Sequence, residues 1–221
     1  MVAPTSIVRS LPVALPPVRT WRGERVARWF GLLTDHVTPP VTPSQLIELP
    51  GTGQLLLLSG ASGSGKSTLL RETIARLESA GRRVIDLARL PLPDVPVVDC
   101  FPDLPLEDAL ALLGRMGLGE AWTYLRTPAE LSDGQRWRLR LAVALHKADR
   151  ERTPAVLVCD EFAALLDRVT AAVVSHAIRK LVTRQPNLAA VVATSHDDVI
   201  IPLSPDRIVR CDFGVFTSLR E

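Results

Sequence analysis

The chain lacks most features of secreted and membrane-spanning proteins. Its 221 residues contain only three cysteines, Cys100, Cys159 and Cys211, which lie far apart and form neither a CxxC pair nor a Cys/His metal-binding pattern. No apolar run reaches the roughly 18 residues of a membrane-spanning helix. The first 20 residues are broken by four prolines and carry Arg9, so they lack the apolar core of a secretion signal. These absences predict a cytoplasmic chain without a transmembrane segment.

The chain also lacks a strong excess of either charge. Lys and Arg total 26 and Asp and Glu total 24, which gives a net charge of +2 and a pI of about 8.6. This balance does not by itself indicate a nucleic acid or a membrane surface as partner. Apolar residues make up 47% and charged residues 23%, as in globular proteins with a buried core. We therefore expect one main domain, residues 46–221, preceded by a Pro/Arg-rich extension, residues 1–45, which could be an arm, an edge hairpin or a remnant.

Uninterrupted apolar strands alternate with helical patterns through the main domain. The predicted strands are Leu55–Leu58, Val84–Leu87, Ala155–Cys159 and Leu188–Thr194, followed by a closing pair at Ile208–Val209 and Val215–Phe216. The predicted helices are Glu24–Leu33, Lys66–Ala80, Leu106–Met116, Ala121–Arg126, one from Ser132 or Asp133 to about Lys147, and Asp167–Arg184. Such alternation predicts an α/β fold whose mostly parallel sheet is flanked by helices.

A phosphate-binding loop follows the first of these strands. Residues 60–67, GASGSGKS, fit the pattern G-x-x-x-x-G-K-[ST] between a strand and a helix. The glycines let backbone N–H groups turn toward phosphate oxygens, Lys66 supplies a positive charge, and the Ser67 hydroxyl can bind Mg²⁺. The predicted nucleotide-binding residues here are Gly60, Ala61, Ser62, Gly63, Ser64, Gly65, Lys66, Ser67 and Thr68. The alternative is a Gly/Ser turn that matches by chance.

Two adjacent acids end the predicted strand Ala155–Cys159. Asp160 would emerge at the carboxyl edge of the sheet, where it can hold Mg²⁺ mostly through water. Glu161 would point elsewhere and could polarise a water for attack on the γ-phosphate. Taken alone, such a pair more often marks the start of a helix, but its combination with the phosphate loop favours a catalytic site.

The segment Leu131-Ser132-Asp133-Gly134-Gln135, followed by Arg138, resembles the LSGGQ signature of ABC (ATP-binding cassette) ATPases. In the same order as in that family, Gly60–Ser67 resembles the Walker A motif, Val156–Glu161 the Walker B motif, Ala164–Asp167 the D-loop, and His196 the switch histidine. The resemblance covers about residues 50–212. It implies an ABC-type domain of the P-loop NTPase fold with a reduced helical subdomain at about residues 100–147.

The resemblance also implies a mechanism. ATP and Mg²⁺ would be the cofactors, and ATP would be hydrolysed to ADP and phosphate with Glu161, His196 and Lys66 as catalytic residues. In a head-to-tail homodimer, Ser132 and Gly134 of one subunit would cap the γ-phosphate held by Lys66 of the other, with Gln135 and Asp167 also at the nucleotide. ATP should therefore stabilise the dimer, and hydrolysis should loosen it.

The sequence departs from the family pattern in several places. No glutamine lies between Lys66 and Gln135, so the usual Q-loop residue is missing, and Asp99 is the nearest polar substitute or a plain linker residue. Asp133 replaces a glycine, and its side chain should face solvent. Ser132 lies only 66 positions after Lys66. This short interval favours a transporter-independent ATPase, similar to stand-alone ABC ATPases that include those fused to acetyltransferase-like domains.

The sequence leaves the partner and the adenine contact open. The alternative function is the nucleotide-binding subunit of an ABC membrane transporter, and a less favoured one is a monomeric P-loop kinase. The protein or nucleic-acid partner is unknown. Candidate adenine-stacking residues are Trp21, Trp29 and Phe30. Candidate nucleic-acid contacts are Arg136, Arg138, Arg140 and the pair Arg82-Arg83, although no basic patch with interleaved aromatics is evident and a solvated helix face explains these arginines equally well.

Overall fold

A computed structural model describes residues 6–9, 20–30, 47–151, 153–212 and 215–220. Within these ranges one sheet contains β1 (Ser6–Arg9), β2 (Leu55–Ser59), β3 (Arg83–Asp86), β4 (Ala155–Cys159), β5 (Leu188–Thr194), β6 (Arg207–Asp212) and β7 (Val215–Arg220). The α-helices of the same ranges are α1 (Trp21–Trp29), α2 (Lys66–Ser79), α3 (Leu106–Arg115), α4 (Ala121–Tyr124), α5 (Asp133–Glu151), α6 (Arg168–Arg184) and α7 (Ile200–Leu203). Short 3-10 helices lie at Val97–Cys100, Pro128–Glu130 and Asp197–Val199.

The strand order in the sheet is β1-β7-β6-β2-β5-β4-β3. Strands β6, β2, β5, β4 and β3 run parallel, whereas β7 is antiparallel to β6 and β1 is antiparallel to β7. Strand β5 lies between β2, which leads into the phosphate loop, and β4, which ends at the two acids. The carboxyl ends of these three parallel strands therefore meet at one edge of the sheet.

Helices cover both faces of the parallel strands, which explains why these strands are apolar without interruption. Along β2, Leu55 and Leu57 pack into one core cluster and Leu56 and Leu58 into the other, because successive side chains of a strand point to opposite faces. All four leucines are almost fully buried. Burial of a leucine side chain contributes about 2 kcal/mol, so the two clusters are a main source of stability.

The structure confirms the predicted fold class and most of its elements. Strands β4 and β5 have the predicted limits, since each is an apolar run bounded by polar residues. Helix α5 extends beyond the expected Lys147 to Glu151, because Ala148 remains buried and the polar residues after it continue the helix. Asp167 caps α6 rather than belonging to it. The closing pair is an antiparallel ladder of β6 and β7.

The N-terminal helix begins earlier than predicted. Helix α1 starts at Trp21 instead of Glu24, because the Thr20 side chain accepts a hydrogen bond from the N–H of Gly23 at 3.1 Å and caps the helix there. The expected end at Leu33 and the division between residues 45 and 46 fall outside the described residues. Strand β1 of the extension lies at the sheet edge beside β7.

The helical region between β3 and α5 is small. Within the described ranges it contains α3, α4 and the 3-10 helices Val97–Cys100 and Pro128–Glu130. Helix α4 ends at Tyr124, two residues before the predicted limit. Among the helices described, none combines the length and the apolar character needed to cross a bilayer.

Candidate nucleotide-binding site

A cavity of about 350 Å³ opens at the carboxyl ends of β2, β4 and β5. Its walls come from the phosphate loop, the turn after β4 and the end of β5. The structure thus brings together residues that lie about 100 positions apart in the sequence. The lining residues are Ser62, Gly63, Gly65, Lys66, Ser67, Thr68, Asp160, Glu161, Ala164 and Ser195.

The phosphate loop presents free donors at the start of α2. Gly65 precedes the helix with φ of +98°, and no side chain caps its N-terminus. The first N–H groups of α2 are therefore available to an anion. The side chain of Lys66 folds back over the loop, where Nζ donates to the carbonyl oxygens of Gly60 at 2.8 Å and Ala61 at 2.7 Å. These features fit a bound triphosphate.

The loop also contains a buried hydroxyl that has no protein partner. Ser64 Oγ is enclosed and makes no hydrogen bond with the described residues. Gly60 packs so closely against the carbonyl of Cys211 that a Cβ at this position would overlap its oxygen. Phe216 lies 3.6 Å from where a Cβ on Gly65 would stand. Strands β6 and β7 therefore support the loop from behind.

The two acids after β4 occupy different environments. Asp160 is half-buried and accepts a hydrogen bond from the N–H of Glu161 at 2.9 Å, whereas Glu161 is exposed. Both line the cavity opposite Ser67. The described residues hold no cluster of three His, Cys, Asp or Glu that could bind a metal alone. A hydroxyl and one carboxylate suit an Mg²⁺ that arrives with the phosphates and keeps several waters.

The turn after β4 stores backbone strain. Glu161 has φ of +48° and Ala163 has φ of +62°, a region that costs about 1–2 kcal/mol for a residue with a Cβ. Phe162 anchors the turn, because its N–H donates to the carbonyl of Ala193 at 2.8 Å and its ring packs edge-on against Trp137 at 5.5 Å. Strain that is imposed by such packing is typical of functional turns.

His196 lies next to the cavity but does not line it. Its backbone N–H donates to Thr194 Oγ1 at 3.1 Å, and this hydroxyl donates to the backbone carbonyl of Phe162 at 2.9 Å. The segment after β5 is thereby fastened to the turn that carries Glu161. Ser195, rather than His196, contributes to the cavity wall.

The signature segment lies outside the cavity of its own subunit. Ser132 Oγ accepts from the N–H of Gln135 at 3.2 Å, and Gln135 Oε1 accepts from the N–H of Ser132 at 3.1 Å, so the two residues cap α5 reciprocally. Gly134 allows close approach of the D-loop, since a Cβ there would lie 2.9 Å from the carbonyl oxygen of Leu165. Asp133 is exposed, as expected.

Asp167 performs a local role in this structure. Its Oδ1 accepts a hydrogen bond from the N–H of Thr170 at 2.9 Å and caps α6. These hydrogen bonds from Thr170 lower the pKa of the Asp167 carboxyl from its ordinary value. Asp167 does not line the cavity of its own subunit.

Sequence reasoning missed a polar cluster behind the site. Asp197 Oδ1 accepts from Ser59 Oγ at 2.8 Å and from Arg210 Nη1 at 2.6 Å, and Asp198 pairs with Arg168 at 2.7 Å. The two consecutive acids directly after His196 were the signal in the sequence. Their partners come from β2, β6 and α6 and could not be identified from local patterns.

The suggested Q-loop substitute is not part of the site. Asp99 is exposed on the 3-10 helix Val97–Cys100 and lines a separate groove with Phe101, Leu104 and Leu106. The phosphate cavity has no residue from this region. Val97 and Val98, which look strand-like in the sequence, belong to this 3-10 helix and not to a strand of the sheet.

The candidate adenine-stacking residues lie on α1 and directly after it. Trp21, Trp29 and Phe30 of α1 are 67–73% exposed and do not line the cavity. The guanidinium groups of Arg22 and Arg25 stack on Trp21 and Trp29 at 5.4 and 5.1 Å from the ring centroids. Helix α1 thus exposes arginines and aromatic rings side by side.

Two arginines of α5, Arg136 and Arg138, bind backbone carbonyls of their own subunit. Arg136 donates to the carbonyls of Pro128 at 2.9 Å and Leu131 at 2.8 Å, and Arg138 donates to the carbonyls of Gly134 at 3.2 Å and Gly117 at 2.5 Å. Both hold the loops around the signature in place. Both guanidinium groups thus have partners within the subunit, and the nucleic-acid contacts stay a prediction.

Comparisons with known proteins agree with this geometry. A family model described as an AAA ATPase domain matches residues 45–193, which contain the phosphate loop and the two acids. The chain is 33% identical over 209 residues to the aliphatic sulfonates import ATP-binding protein SsuB 1 of Paracoccus denitrificans, covering 86% of this chain and 78% of that protein. It is 30% identical over 207 residues to the lipoprotein-releasing system ATP-binding protein LolD 1 of Caulobacter vibrioides, covering 77% of this chain and 85% of that protein.

Solved structures show the same fold. The dimer of the ATP-binding cassette MJ0796 bound to ADP and phosphate in a post-hydrolysis state has a TM-score of 0.56 at 19% identity, covering 76% of this chain and 84% of that chain. The AAA match reflects the P-loop core, whereas the curated relatives define the narrower family. The chain belongs to the ATP-binding cassette family of P-loop ATPases, which bind ATP with Mg²⁺ and hydrolyse it.

Proposed function

We propose that the chain is the ATP-hydrolysing subunit of a membrane transport system and works as a head-to-tail dimer. The observation that carries this proposal is the 33% identity to an import ATP-binding protein across 78% of that protein's length. The relatives thus favour the transporter subunit over the transporter-independent ATPase that the short helical region suggested. They also disfavour a monomeric kinase.

In this proposal, each side chain around the cavity has a role. Lys66 and the free N–H groups of α2 would hold the β- and γ-phosphates, and Ser67 and Asp160 would hold Mg²⁺. When bound, this ion neutralises charge on the phosphates. Glu161 accepts a proton from the attacking water, for which its exposed and strained position at the cavity wall is suited. His196 adds a donor toward the γ-phosphate.

A second subunit would complete the site. Ser132, Gly134 and Gln135 lie outside the cavity of their own subunit, so they can serve only a nucleotide held elsewhere. Three apolar side chains near the D-loop and α7 are open to solvent: Leu165 is 60%, Val169 74% and Ile201 86% exposed. Exposed apolar side chains that cluster beside a polar site are typical of an interface. These features support dimerisation across the nucleotide.

The small helical region offers a surface for a membrane partner. Leu106, Trp122 and Leu125 are 58%, 77% and 69% exposed there. Leu106 also lines a groove of about 240 Å³ together with Phe101 and Leu104. Tryptophan is among the residues that contribute most binding energy in protein interfaces, and exposed apolar side chains around it are typical of an interaction site. They support docking of a helix from a transmembrane subunit.

A transporter-independent ATPase is the second candidate. The missing Q-loop glutamine and the interval of 66 positions from Lys66 to Ser132 favour it. Purified chain distinguishes the two candidates. A transporter subunit should co-purify with a polytopic partner and should be stimulated by it, and Trp122→Glu should abolish both effects while leaving basal ATPase activity intact. Full activity without a membrane partner would favour the second candidate.

The dimer mechanism is tested with Glu161→Gln. Light scattering after size exclusion, with and without Mg-ATP, should show a monomer that ATP converts to a dimer. Phosphate release should fall at least roughly 100-fold, because general-base catalysis contributes about that much. Glu107→Gln, which changes an exposed acid on α3, is the matched control and should behave as wild type. A Glu161→Gln protein that stays monomeric and still hydrolyses ATP contradicts the proposal.

A further inference from the structure

The segment after β5 carries two consecutive acids that are bound to different elements of the fold. We define the switch segment as residues 195–203, which contains His196, the 3-10 helix Asp197–Val199 and α7. Asp197 is bound to Ser59 and Arg210 at 2.8 and 2.6 Å. Asp198 is bound to Arg168, whose Nη1 lies 2.7 Å from both carboxylate oxygens.

We propose that Arg168 and Asp198 form a positioning pair that couples the D-loop to His196. The inference rests on the proposed function, in which His196 contacts the γ-phosphate and the D-loop meets the second subunit. Neither residue of the pair touches the reacting atoms. Their role is to transmit the position of the D-loop to the switch segment.

Arg168 and Asp198 each lie close in sequence to one of the two loops that the pair would connect. Arg168 is the first residue of α6 and follows Asp167, the last residue of the D-loop. Asp198 is two residues after His196, with no glycine between them. The pair therefore spans 30 residues of sequence to connect the D-loop side of the molecule directly with the histidine.

The rest of the switch segment is held in place by core packing and hydrogen bonds. Val199 and Leu203 are buried in the core, and α6 packs against α7 and the preceding 3-10 helix. On the other side, Asp197 is held by Ser59, which directly precedes the phosphate loop. The histidine thus lies between the tie of Asp197 to the phosphate-loop strand and the tie of Asp198 to Arg168, and its backbone is linked to the turn that carries Glu161. The tie of Asp198 is the one that leads to the residue after the D-loop.

The ion pair between Arg168 and Asp198 persists at neutral pH. The hydrogen bond from Arg168 and its positive charge hold the pKa of the Asp198 carboxyl below its ordinary value. Both groups are about half exposed, so the pair adds little to overall stability. A charged contact that stabilises little but connects two functional loops is better explained by positioning than by folding.

The experiment removes the pair from each side and then reverses it. Asp198→Asn and Arg168→Gln should each lower kcat roughly tenfold, because small misplacement of a catalytic group has large kinetic effects, while KM for ATP stays within about twofold. The double variant Arg168→Asp/Asp198→Arg should recover most of the loss. Glu151→Gln breaks the equally short Arg83–Glu151 pair, 2.7 Å, far from the cavity, and should leave kcat unchanged.

A second measurement does not depend on hydrolysis. Hydrogen exchange without nucleotide should become faster in residues 195–198 of Asp198→Asn and Arg168→Gln, and not in Glu151→Gln. Unchanged exchange and kcat would overturn the pair, as would a loss of thermal stability in parallel with kcat and no recovery in the double variant. Hydrolysis that survives Glu161→Gln would instead count against the proposed function, which keeps the two failures distinguishable.

Discussion

Helices α2 and α5 both begin at predicted phosphate contacts, but their first turns are built differently. The N-terminus of α2 has a glycine in the left-handed region and no side-chain cap. The N-terminus of α5 is closed by the reciprocal hydrogen bonds of Ser132 and Gln135. A helix start leaves its first N–H groups without helical partners, and the two segments satisfy these groups with different chemistry.

The difference indicates which terminus can bind phosphate alone. At α2 the free donors and Lys66 surround a cavity, so this terminus can hold an anion within one subunit. At α5 the hydroxyl of Ser132 already accepts one hydrogen bond, which leaves its O–H to donate to a group outside the subunit. We therefore expect α2 to bind nucleotide in the monomer and α5 to contribute only in the dimer.

The largest effect is expected for a substitution at Gly60, where the phosphate loop has no space for a side chain. Gly60→Ala would place a Cβ on the Cys211 carbonyl oxygen and 2.9 Å from Ser64 Oγ, so the backbone must move. We expect the free energy of unfolding to fall by about 3 kcal/mol and nucleotide binding to be lost. Urea unfolding and nucleotide titration measure these quantities.

Two further glycine variants have more space around the new Cβ and serve as comparisons for Gly60→Ala. Gly134→Ala meets the Leu165 carbonyl at 2.9 Å in an exposed loop that can shift, so a smaller loss is expected at the α5 terminus. Gly119→Ala has open space around the new Cβ and should change the free energy of unfolding by no more than about 0.5 kcal/mol. Equal losses in the free energy of unfolding for Gly60→Ala and Gly134→Ala would contradict the expected difference between the N-termini of α2 and α5.

The second prediction concerns the order in which the termini engage ATP. Mg-ATP at a hundred times its Kd should raise the free energy of unfolding by about 2.7 kcal/mol. In dilute Glu161→Gln protein, hydrogen exchange should slow at Lys66–Thr68 and remain unchanged at Ser132–Gln135. At concentrations that allow dimers, both segments should become protected. Protection of the α5 terminus in a monomer would contradict the comparison.

Local patterns predicted the structural elements around the phosphate loop. Strand β4 could be located from its five apolar residues, and Gly65 from a loop pattern whose spacing is set by the backbone. Each of these features depends on residues within about ten positions. The same holds for α6, whose capping residue Asp167 was predicted one position inside the helix.

Long-range contacts were beyond such patterns. The tie between Arg168 and Asp198 spans 30 residues, and that between Ser59 and Asp197 spans 138. Likewise, Arg136 looked like a solvated residue, although the carbonyls of Pro128 and Leu131 bind its guanidinium once the chain folds back. Tertiary packing decides these partners, and a single sequence contains no periodic signal for them.

The third prediction separates the two roles of Ser132. Ser132→Ala removes the cap of α5 and should lower the free energy of unfolding by about 1 kcal/mol, whereas Ser132→Asp restores a capping oxygen and should cost little. Both variants should impair hydrolysis and ATP-driven dimerisation, because alanine donates no hydrogen bond and aspartate repels the phosphate of the opposite subunit. Urea unfolding and light scattering test the two effects separately.

An active Ser132→Asp protein would show that the serine acts only as a cap. An inactive protein of wild-type stability would place this side chain beside the nucleotide of the second subunit. Asp133→Asn is the control, because Asp133 is exposed beside it and its side chain is 77% accessible. This variant should leave dimerisation unchanged.

The smallest effect is expected at the N-terminus of α6, which is capped by the Asp167 carboxylate. Hydrogen bonds from Thr170 lower the pKa of Asp167, so its contribution to stability is fully present above the unfolded pKa of about 3.9 and is lost as the pH falls through the lower folded value. Asp167→Asn retains a capping oxygen without the charge. The variant should therefore be slightly less stable than wild type at pH 7, and the difference should shrink below pH 4. Urea unfolding at both pH values measures it, with the exposed Asp94→Asn as control. A difference independent of pH would mean that charge plays no part in closing α6, and that the contrast with the open terminus of α2 lies in hydrogen bonding alone.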